Sequence, residues 1–437
     1  MERKEQMEID KREERRRRRH RNQIAAYLTM IIMIAAAATG IVLLVRFISA
    51  KSAEDKEQKE SQVEQILGTE ETLMMPDETM EETVPELTDE QKLDEIVNAG
   101  IEVMPLEDKV AGLFVVQPEA ITGVATAVQA GDGTREALSK YAVGGIVYFS
   151  KNIESKEQLA QMIDNTQLYT KYPLFIAVDE EGGSVARVAD AGIGTKVDSA
   201  QAIGQTGDTN NAYQAGLTIG GYLSELGFNL DFAPVADLAN VENSVMADRA
   251  YGSDASATMP FVTSVMQGLQ EKKVTACLKH FPGIGSSVQD THEGLAVSER
   301  TAEEFRANEF TVFQAGIDAG ANMIMVGHMS APALTGDNTP CSLSGSVVTD
   351  ILRNELGFDG VIITDALNMS AISEYHSAEE AAVLALRAGC DMLLMPEDFE
   401  AAYKGVLQAV QDGVISEERI NDSLRRIYRI KYADKIE

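Results

Sequence analysis

Short apolar runs alternate with longer amphipathic stretches from about residue 105 to the end of the chain. Turn residues bound each run, and a segment of helical length follows it. Strands that are buried on both faces read as continuous apolar runs, and their alternation with helices implies parallel pairing. The eight runs are Gly112–Val116, Gly145–Phe149, Leu174–Val178, Leu230–Ala233, Thr275–Lys279, Met323–Val326, Val361–Thr364 and Asp391–Met395.

Eight strand–helix units predict an α/β fold, a (β/α)8 TIM-type barrel over residues 98–437. An open, doubly wound sheet is the alternative, and it would more often carry a glycine-rich phosphate loop after its first strand. In this chain Gln117 and Pro118 follow the first run instead. The pattern therefore favours the barrel and gives no support to a nucleotide site.

The segment before the barrel begins with a basic tail, residues 1–23, whose first 22 residues hold ten Lys and Arg against six acids. Residues 24–45 carry no charge, and 22 residues at about 1.5 Å each span the roughly 30 Å core of a bilayer. A cleaved signal peptide would have a shorter apolar core and a small-residue cleavage site, so we expect an uncleaved transmembrane helix. Because basic residues flank the cytoplasmic end of a span, we expect a single-pass protein of the cell membrane with a cytoplasmic N-terminus and an extracellular catalytic domain.

Residues 46–97 form an acidic stretch between the predicted anchor and the barrel. Residues 51–90 hold 14 acids and three lysines, which predicts a flexible, self-repelling linker. The whole chain has 38 basic and 69 acidic residues, and this balance argues against nucleic acid as a partner because phosphate binding relies on basic surface. Three widely spaced cysteines show no disulfide framework or zinc pattern, and we expect no cofactor. The oligomeric state is not predicted.

Polar side chains follow the predicted strands at their carboxyl ends, the face on which barrel enzymes keep their active sites. A purely stabilising role would not place charged and imidazole groups there so consistently. The sequence therefore predicts an active site on this face. The residues concerned are Asp179, Glu180, Glu181, Pro234, Asp237, Lys279, His280, His328, Asp365 and Pro396.

The loop after the fifth strand carries a candidate acid/base pair, Asp290 and His292. A carboxylate two residues away can accept the imidazole's hydrogen bond, which orients the ring and favours its protonated form. The second ring nitrogen is then available as a general acid near neutral pH. A surface loop with incidental polar residues is the alternative, and the pair alone does not decide between the two.

Asp365 comes directly after a strand, which holds its carboxylate rigidly at the mouth of the barrel. It suits a nucleophile, a base or an anchor for sugar hydroxyls. Retaining cleavage of a glycoside requires one acid/base and one nucleophile across the scissile bond, and the Asp290–His292 pair with Asp365 meets that need. Because His280, His292 and His328 lie on separate elements and include no His-x-x-x-His pair, no metal site is predicted.

Several motifs together resemble the β-N-acetylhexosaminidase branch of the family 3 glycoside hydrolases. They are KHFPG at 279–283, Asp290-x-His292, TDALNM at 364–369, DEEGG at 179–183 with Arg187, DRAYG at 248–252 and MPLEDKV at 104–110. Many family 3 β-glucosidases have a second α/β domain that supplies the acid/base. This chain ends soon after its eighth unit and carries the Asp-x-His loop, which points to the single-domain branch.

The resemblance implies a retaining mechanism that passes through a glycosyl-enzyme intermediate. By motif position, Asp365 corresponds to the nucleophile, His292 to the acid/base and Asp290 to its partner. The expected function is an exo-acting β-N-acetylglucosaminidase that removes terminal β-linked N-acetylglucosamine from muropeptides or related cell-wall glycans. The residues that the resemblance implies for binding the sugar's hydroxyls and acetamido group are Asp179, Arg187, Arg249, Lys279 and His280.

Two stretches depart from the family's pattern near the predicted substrate site. The usual HFPGHGD reads HFPGIGS here, which places Ile284 and Ser286, and the usual EGGR ends in Ser184. We interpret these departures as altered leaving-group specificity or loop stability, because the three catalytic positions are retained. Two alternative functions stay open: a glycoside phosphorylase that uses the same Asp–His pair, and a catalytically idle, membrane-tethered glycan-binding protein.

Overall fold

The computed structural model describes residues 87–287 and 294–433. The predicted basic tail, the predicted anchor at 24–45 and most of the predicted linker at 46–97 lie outside the described residues. Within the described ranges, no helix combines the length and the apolar character that crossing a membrane requires.

Eight parallel strands close into a barrel in the order β1-β10-β9-β8-β7-β6-β3-β2, and β4 and β5 form a separate antiparallel hairpin. This closure confirms the predicted TIM-type architecture, and each predicted run overlaps one barrel strand. The strands are β1 Phe114–Val116, β2 Gly145–Val147, β3 Phe175–Val178, β4 Glu180–Gly182, β5 Val185–Ala186, β6 Leu230–Asp231, β7 Thr275–Phe281, β8 Met323–Val326, β9 Val361–Ala366 and β10 Met392–Leu394.

Helices follow the strands, and several begin at a Ser or Thr whose side chain accepts a hydrogen bond from the first turn. They are α1 Asp89–Glu102, α2 Leu106–Ala111, α3 Pro118–Thr122, α4 Asp132–Lys140, α5 Lys156–Tyr169, α6 Arg187–Asp190, α7 Ala200–Gln205, α8 Thr209–Leu226, α9 Ala255–Glu271, α10 Ala302–Ala307, α11 Glu309–Asp318, α12 Pro332–Thr335, α13 Ser370–Ser373, α14 Ala378–Ala388, α15 Phe399–Gln411 and α16 Glu417–Tyr432. A π-helical segment spans Ser346–Glu355, and 3-10 turns span Ser150–Asn152 and Cys341–Leu343.

Two barrel strands run further than their apolar runs predict. β7 continues to Phe281, which pairs with Val326 of β8, and β9 continues to Ala366, which pairs with Leu394 of β10. Backbone pairing therefore extends past the point where polar side chains begin. As a result Asp365 lies within a strand rather than after one.

The first helix begins inside the stretch that was predicted to be linker, residues 46–97. Thr88 and Gln91 exchange capping hydrogen bonds of 2.9 and 3.2 Å ahead of α1. Val97 and Ile101 of α1 are buried. The acids near the end of the predicted linker are thus the solvated face of an amphipathic helix, which is why composition alone placed the boundary too late.

A buried carboxylate ties the amino-terminal end of the barrel to the last helix. Asp391, directly before β10, is fully buried and accepts hydrogen bonds from Arg353 at 2.7 Å, Ser423 at 2.8 Å and Arg426 at 3.2 Å. Its Oδ2 also accepts from the backbone N–H of Ile362 at 3.0 Å. One side chain therefore joins β9, β10, the π-helical segment and α16, far from the face that carries the predicted active site.

We expect Asp391→Asn to lower the free energy of unfolding by about 3 kcal/mol, because the amide leaves buried guanidinium groups without their counter-charge. Denaturant unfolding followed by far-UV circular dichroism measures this loss. Asp359→Asn, at an exposed position near the same end of the barrel, is the matched control and should change stability by less than about 0.5 kcal/mol. Equal losses in the two variants would contradict the assignment.

Candidate active site

One cavity of about 410 Å³ lies at the carboxyl end of the barrel strands. The structure brings to its wall every described residue for which a catalytic or sugar-binding role was predicted, as β7, β9 and the loops after β3, β5 and β6 converge there. These residues are Asp179, Arg187, Arg249, Lys279, His280 and Asp365. Asp290 and His292 lie outside the described residues, so their part in the site stays a prediction.

Asp365 lies near the end of β9, and its Oδ1 accepts a 2.8 Å hydrogen bond from the backbone N–H of Ala366. Burial alone would raise the pKa of this carboxyl, but His280, His328, the Ala366 N–H and Lys279 together lower it below its ordinary value. Asp365 is therefore ionised at neutral pH. An ionised carboxylate on a rigid strand is the form that attacks an electrophilic carbon.

Glu181 is the shared counter-ion of two cations in the cavity, Arg249 and Lys279. Its carboxylate accepts two hydrogen bonds from Arg249, at 2.8 and 2.7 Å, and lies 2.6 Å from Nζ of Lys279. The same Nζ donates to Oδ1 of Asp179 at 2.7 Å. Burial acts to raise the pKa of Glu181, but Lys279 and Arg249 outweigh it and lower the pKa to about 2.

Glu181 was among the polar residues predicted at the strand ends, but no catalytic or sugar-binding role was predicted for it. It lies two positions after Asp179, and side chains two apart on an extended strand point to the same side. Both carboxylates accordingly line the cavity. The ion pair with Arg249 joins residues 68 apart in the chain, and no local pattern indicates that contact.

Asp237 fixes the turn at the end of β7. It is fully buried and accepts hydrogen bonds from the backbone N–H of His280 at 3.2 Å and from Nδ1 of the same ring at 2.8 Å. Its other oxygen accepts from the backbone N–H of Ile284 at 2.7 Å. Because a carboxylate can only accept, Nδ1 carries the proton, and the ring is held in one orientation at the cavity wall.

His328 lies behind Asp365 and is fully buried. Its Nδ1 lies 2.8 Å from Oγ of Ser342, and its Nε2 donates to the backbone carbonyl of Ala366 at 2.9 Å. His328 therefore holds the backbone carbonyl of the residue that follows Asp365. Ser342 belongs to the 3-10 turn Cys341–Leu343, and no sequence motif linked that turn to the site.

The two departures from the family pattern lie at the cavity or beside it. Ile284 is buried and lines the cavity, and it is tied to Asp237 only through its backbone N–H. Ser184 donates a 2.7 Å hydrogen bond to Asp248. Neither side chain takes part in the contacts of Lys279 with Asp179 and Glu181.

The rest of the cavity wall is mainly apolar. An apolar surface with a few placed polar groups is typical of sites for small organic ligands, and it suits the C–H faces of a sugar ring. The guanidinium carbon of Arg187 lies 5.9 Å from the centre of the Phe149 ring. The apolar and aromatic residues are Val147, Phe149, Val185, Phe232, Val245, Met246, Ile284, Met325, Ala366, Met369, Leu394 and Met395.

We expect Glu181→Gln to destabilise the protein in a pH-dependent way, by about 3 kcal/mol at pH 7, because a buried counter-ion is lost. The pKa of Glu181 is lowered from 4.5 to about 2, so its contribution to stability is complete at pH values above 4.5. That contribution is lost as the pH falls from 4.5 toward 2. Urea unfolding at pH 7, 5 and 3.5 should show the difference from wild type shrinking as the pH falls. Glu355→Gln, which breaks an exposed bidentate pair with Arg306, is the matched control and should cost less than about 1 kcal/mol. A pH-independent loss would contradict the prediction.

Comparison with known proteins identifies the family. The chain matches the glycosyl hydrolase family 3 N-terminal domain over residues 105–430. It is 36% identical over 274 residues to a beta-hexosaminidase of Nitrosomonas eutropha, which covers 61% of this chain and 78% of that protein. A beta-hexosaminidase of Methylobacillus flagellatus is 35% identical over 259 residues, 58% of this chain and 73% of the relative.

The fold agrees with a solved structure of the same family, a beta-N-acetylglucosaminidase from Paenibacillus sp. str. FPU-7. The TM-score is 0.71 at 33% identity, and the alignment covers 76% of this chain and 63% of that one. The family that the motifs predicted is confirmed, and with it the prediction of a glycoside-cleaving enzyme. This chain belongs to glycosyl hydrolase family 3.

Proposed function

We propose that this enzyme is a retaining, exo-acting β-N-acetylglucosaminidase. The observation that carries the proposal is the ionised Asp365 on β9, which lines the same cavity as Lys279 and Arg249, both held in place by Glu181. The similarity to proteins named beta-hexosaminidase supports the same substrate class. A cavity of about 410 Å³ has room for one terminal sugar, which fits exo action.

In the proposed reaction, a carboxylate oxygen of Asp365 attacks the anomeric carbon while the bond to the leaving-group oxygen breaks. His292, oriented by Asp290, donates a proton to that oxygen, so the leaving sugar departs neutral. Water then attacks the glycosyl-enzyme ester as His292 takes a proton back, which frees Asp365 and releases the sugar with its configuration retained. The roles of the Asp290–His292 pair come from the motif alone.

The charged groups of the cavity would hold the sugar during both steps. Arg187, Arg249 and Lys279 present several N–H donors, and Asp179 presents acceptors, so hydroxyl and acetamido groups can be bound at once. A site built from such groups rejects sugars that lack the matching polar atoms, because its own groups would then be left unpaired. This supports N-acetylglucosamine over glucose, with muropeptides and related cell-wall glycans as the proposed natural substrates.

We expect the wild type to release N-acetylglucosamine from an aryl β-N-acetylglucosaminide faster than glucose from the matching β-glucoside. Asp365→Ala should lower kcat by roughly 1000-fold or more, since the nucleophile is gone. Added azide, a small external nucleophile, should restore part of the rate and yield the α-glycosyl azide. Exposed Asp359→Asn serves as the control and should keep wild-type kinetics.

Three outcomes of this assay would count against the proposal. Full activity in Asp365→Ala would remove Asp365 as the nucleophile. A rate that rises with phosphate, together with a sugar 1-phosphate product, would favour the phosphorylase. Sugar binding without any turnover by the wild type would favour the idle glycan-binding protein.

We further propose that residues 24–45 hold the enzyme in the cell membrane with the barrel outside. The support is the uncharged run of 22 residues after the basic tail. The full chain should sediment with membranes and resist extraction by high salt and carbonate, while a chain starting at residue 85 should be released. Protease added to intact cells should degrade the barrel domain. A salt-released full chain or a protected barrel would contradict the proposal.

A further inference from the structure

Glu180 lies between two cavity residues but points away from the cavity. Asp179 and Glu181 line the cavity, and successive side chains on an extended strand point to opposite sides. Glu180 is 0% exposed, which is unusual for a carboxylate unless its oxygens are bonded. The proposed catalytic mechanism makes no use of Glu180, so the burial of its carboxyl group requires a separate explanation.

The carboxylate of Glu180 accepts three hydrogen bonds. One oxygen accepts from the backbone N–H of Val188 at 2.8 Å, and the other accepts from the backbone N–H of Ala189 at 2.9 Å and from the Tyr222 hydroxyl at 2.7 Å. Burial raises the pKa of Glu180 above its ordinary value, and these three donors offset only part of that rise because they favour the charged form. The backbone N–H of Glu180 is also fixed, at 2.9 Å from Oδ1 of Asp231.

The two backbone donors come directly after Arg187, the first residue of α6. Arg187 lines the cavity, and its guanidinium lies over the Phe149 ring at 5.9 Å. Its Nε is buried and has no hydrogen-bond partner among the described residues. A buried N–H without a partner in the protein can donate a hydrogen bond to an oxygen of a bound ligand.

We infer that Glu180 is a positioning residue, which sets Arg187 at the cavity wall by holding the backbone of residues 188 and 189. The β4–β5 hairpin carries Asp179 and Glu181 at its start and leads into Arg187 at its end. Glu180 joins those two ends beneath the cavity. It thereby fixes the distance between the acidic groups and the arginine that face the substrate.

Tyr222 takes part in the same arrangement from α8. Its hydroxyl donates the third hydrogen bond to the carboxylate of Glu180, and this bond connects the hairpin to helix α8. With an amide at position 180, an NH2 group would replace one of the two acceptor oxygens, and at least one of these three donors would be left without its acceptor. The hairpin would then relax, and Arg187 would move with it, since only a short stretch of backbone separates them.

The inference rests on the proposed function in one respect, that Arg187 binds a sugar oxygen. A double-mutant cycle tests it on the full chain with the aryl β-N-acetylglucosaminide, using Glu180→Gln, Arg187→Ala and the double variant. Arg187→Ala should lower kcat/KM roughly 10- to 100-fold, the range for losing hydrogen bonds from a charged group. Glu180→Gln should lower kcat/KM about 10-fold in the wild type but less than about 2-fold when Arg187 is already absent.

Asp391→Asn is the matched control for stability, since it removes a buried, hydrogen-bonded carboxylate at the opposite end of the barrel. Its effect on kcat/KM should be small and the same in the presence and absence of Arg187. Tyr222→Phe removes one of the three donors, and its kcat/KM should lie between the values of the wild type and of Glu180→Gln. An equal effect of Glu180→Gln in both backgrounds would overturn the inference in favour of general destabilisation.

A crystal structure of Glu180→Gln separates this inference from the proposed function. Displacement of Arg187 from the Phe149 ring would support the positioning role, and an unmoved Arg187 would overturn it. Absence of any turnover in the wild type would overturn the proposed function, while the crystal structure would still decide the role of Glu180.

Discussion

The candidate active site depends on one carboxylate, that of Glu181, which is the counter-ion of both Lys279 and Arg249. Two cations buried in one cavity repel each other and lose their hydration, and the fold tolerates them only because Glu181 bonds to both, with Asp179 as a second partner of the lysine. The arrangement also leaves N–H groups of both cations for a ligand. The pairing that makes the site stable therefore also makes it a rigid set of donors.

The closed barrel brings these groups together from distant parts of the chain. The polar residues of the strands lie at the same end of the barrel. Asp365 of β9 and Lys279 of β7 therefore line one cavity although they are far apart in the sequence. The other end carries a charged cluster of its own around Asp391, whose partners lie on the last helix and the π-helical segment. Charged side chains thus line the cavity at one end of the barrel, and at the other end they join the last helix to the strands.

Much of the fold and part of the candidate site follow from the sequence, because buried parallel strands leave a continuous apolar signature and polar side chains come at its end. What the sequence could not show is which residues pair across the fold. Glu181 and Arg249 are 68 positions apart, and Glu180 and Tyr222 are 42 apart. The β4–β5 hairpin was missed as well, because its strands are too short for any alternation to be read.

The departures at Ile284 and Ser184 show which features of a site can vary at little structural cost. Ile284 is anchored by a backbone N–H to Asp237, a contact that any residue other than proline can make, so its side chain can change while the loop and His280 stay in place. Ser184 bonds to Asp248 at the cavity's edge and has no part in the Glu181 cluster. Residues held by their backbone are free to alter the cavity lining, whereas Glu181, whose side chain joins two cations, has no comparable freedom. The charged groups at this end of the barrel are therefore held by side-chain ion pairs, whereas the lining at Ile284 is set by a position whose side chain makes no hydrogen bond.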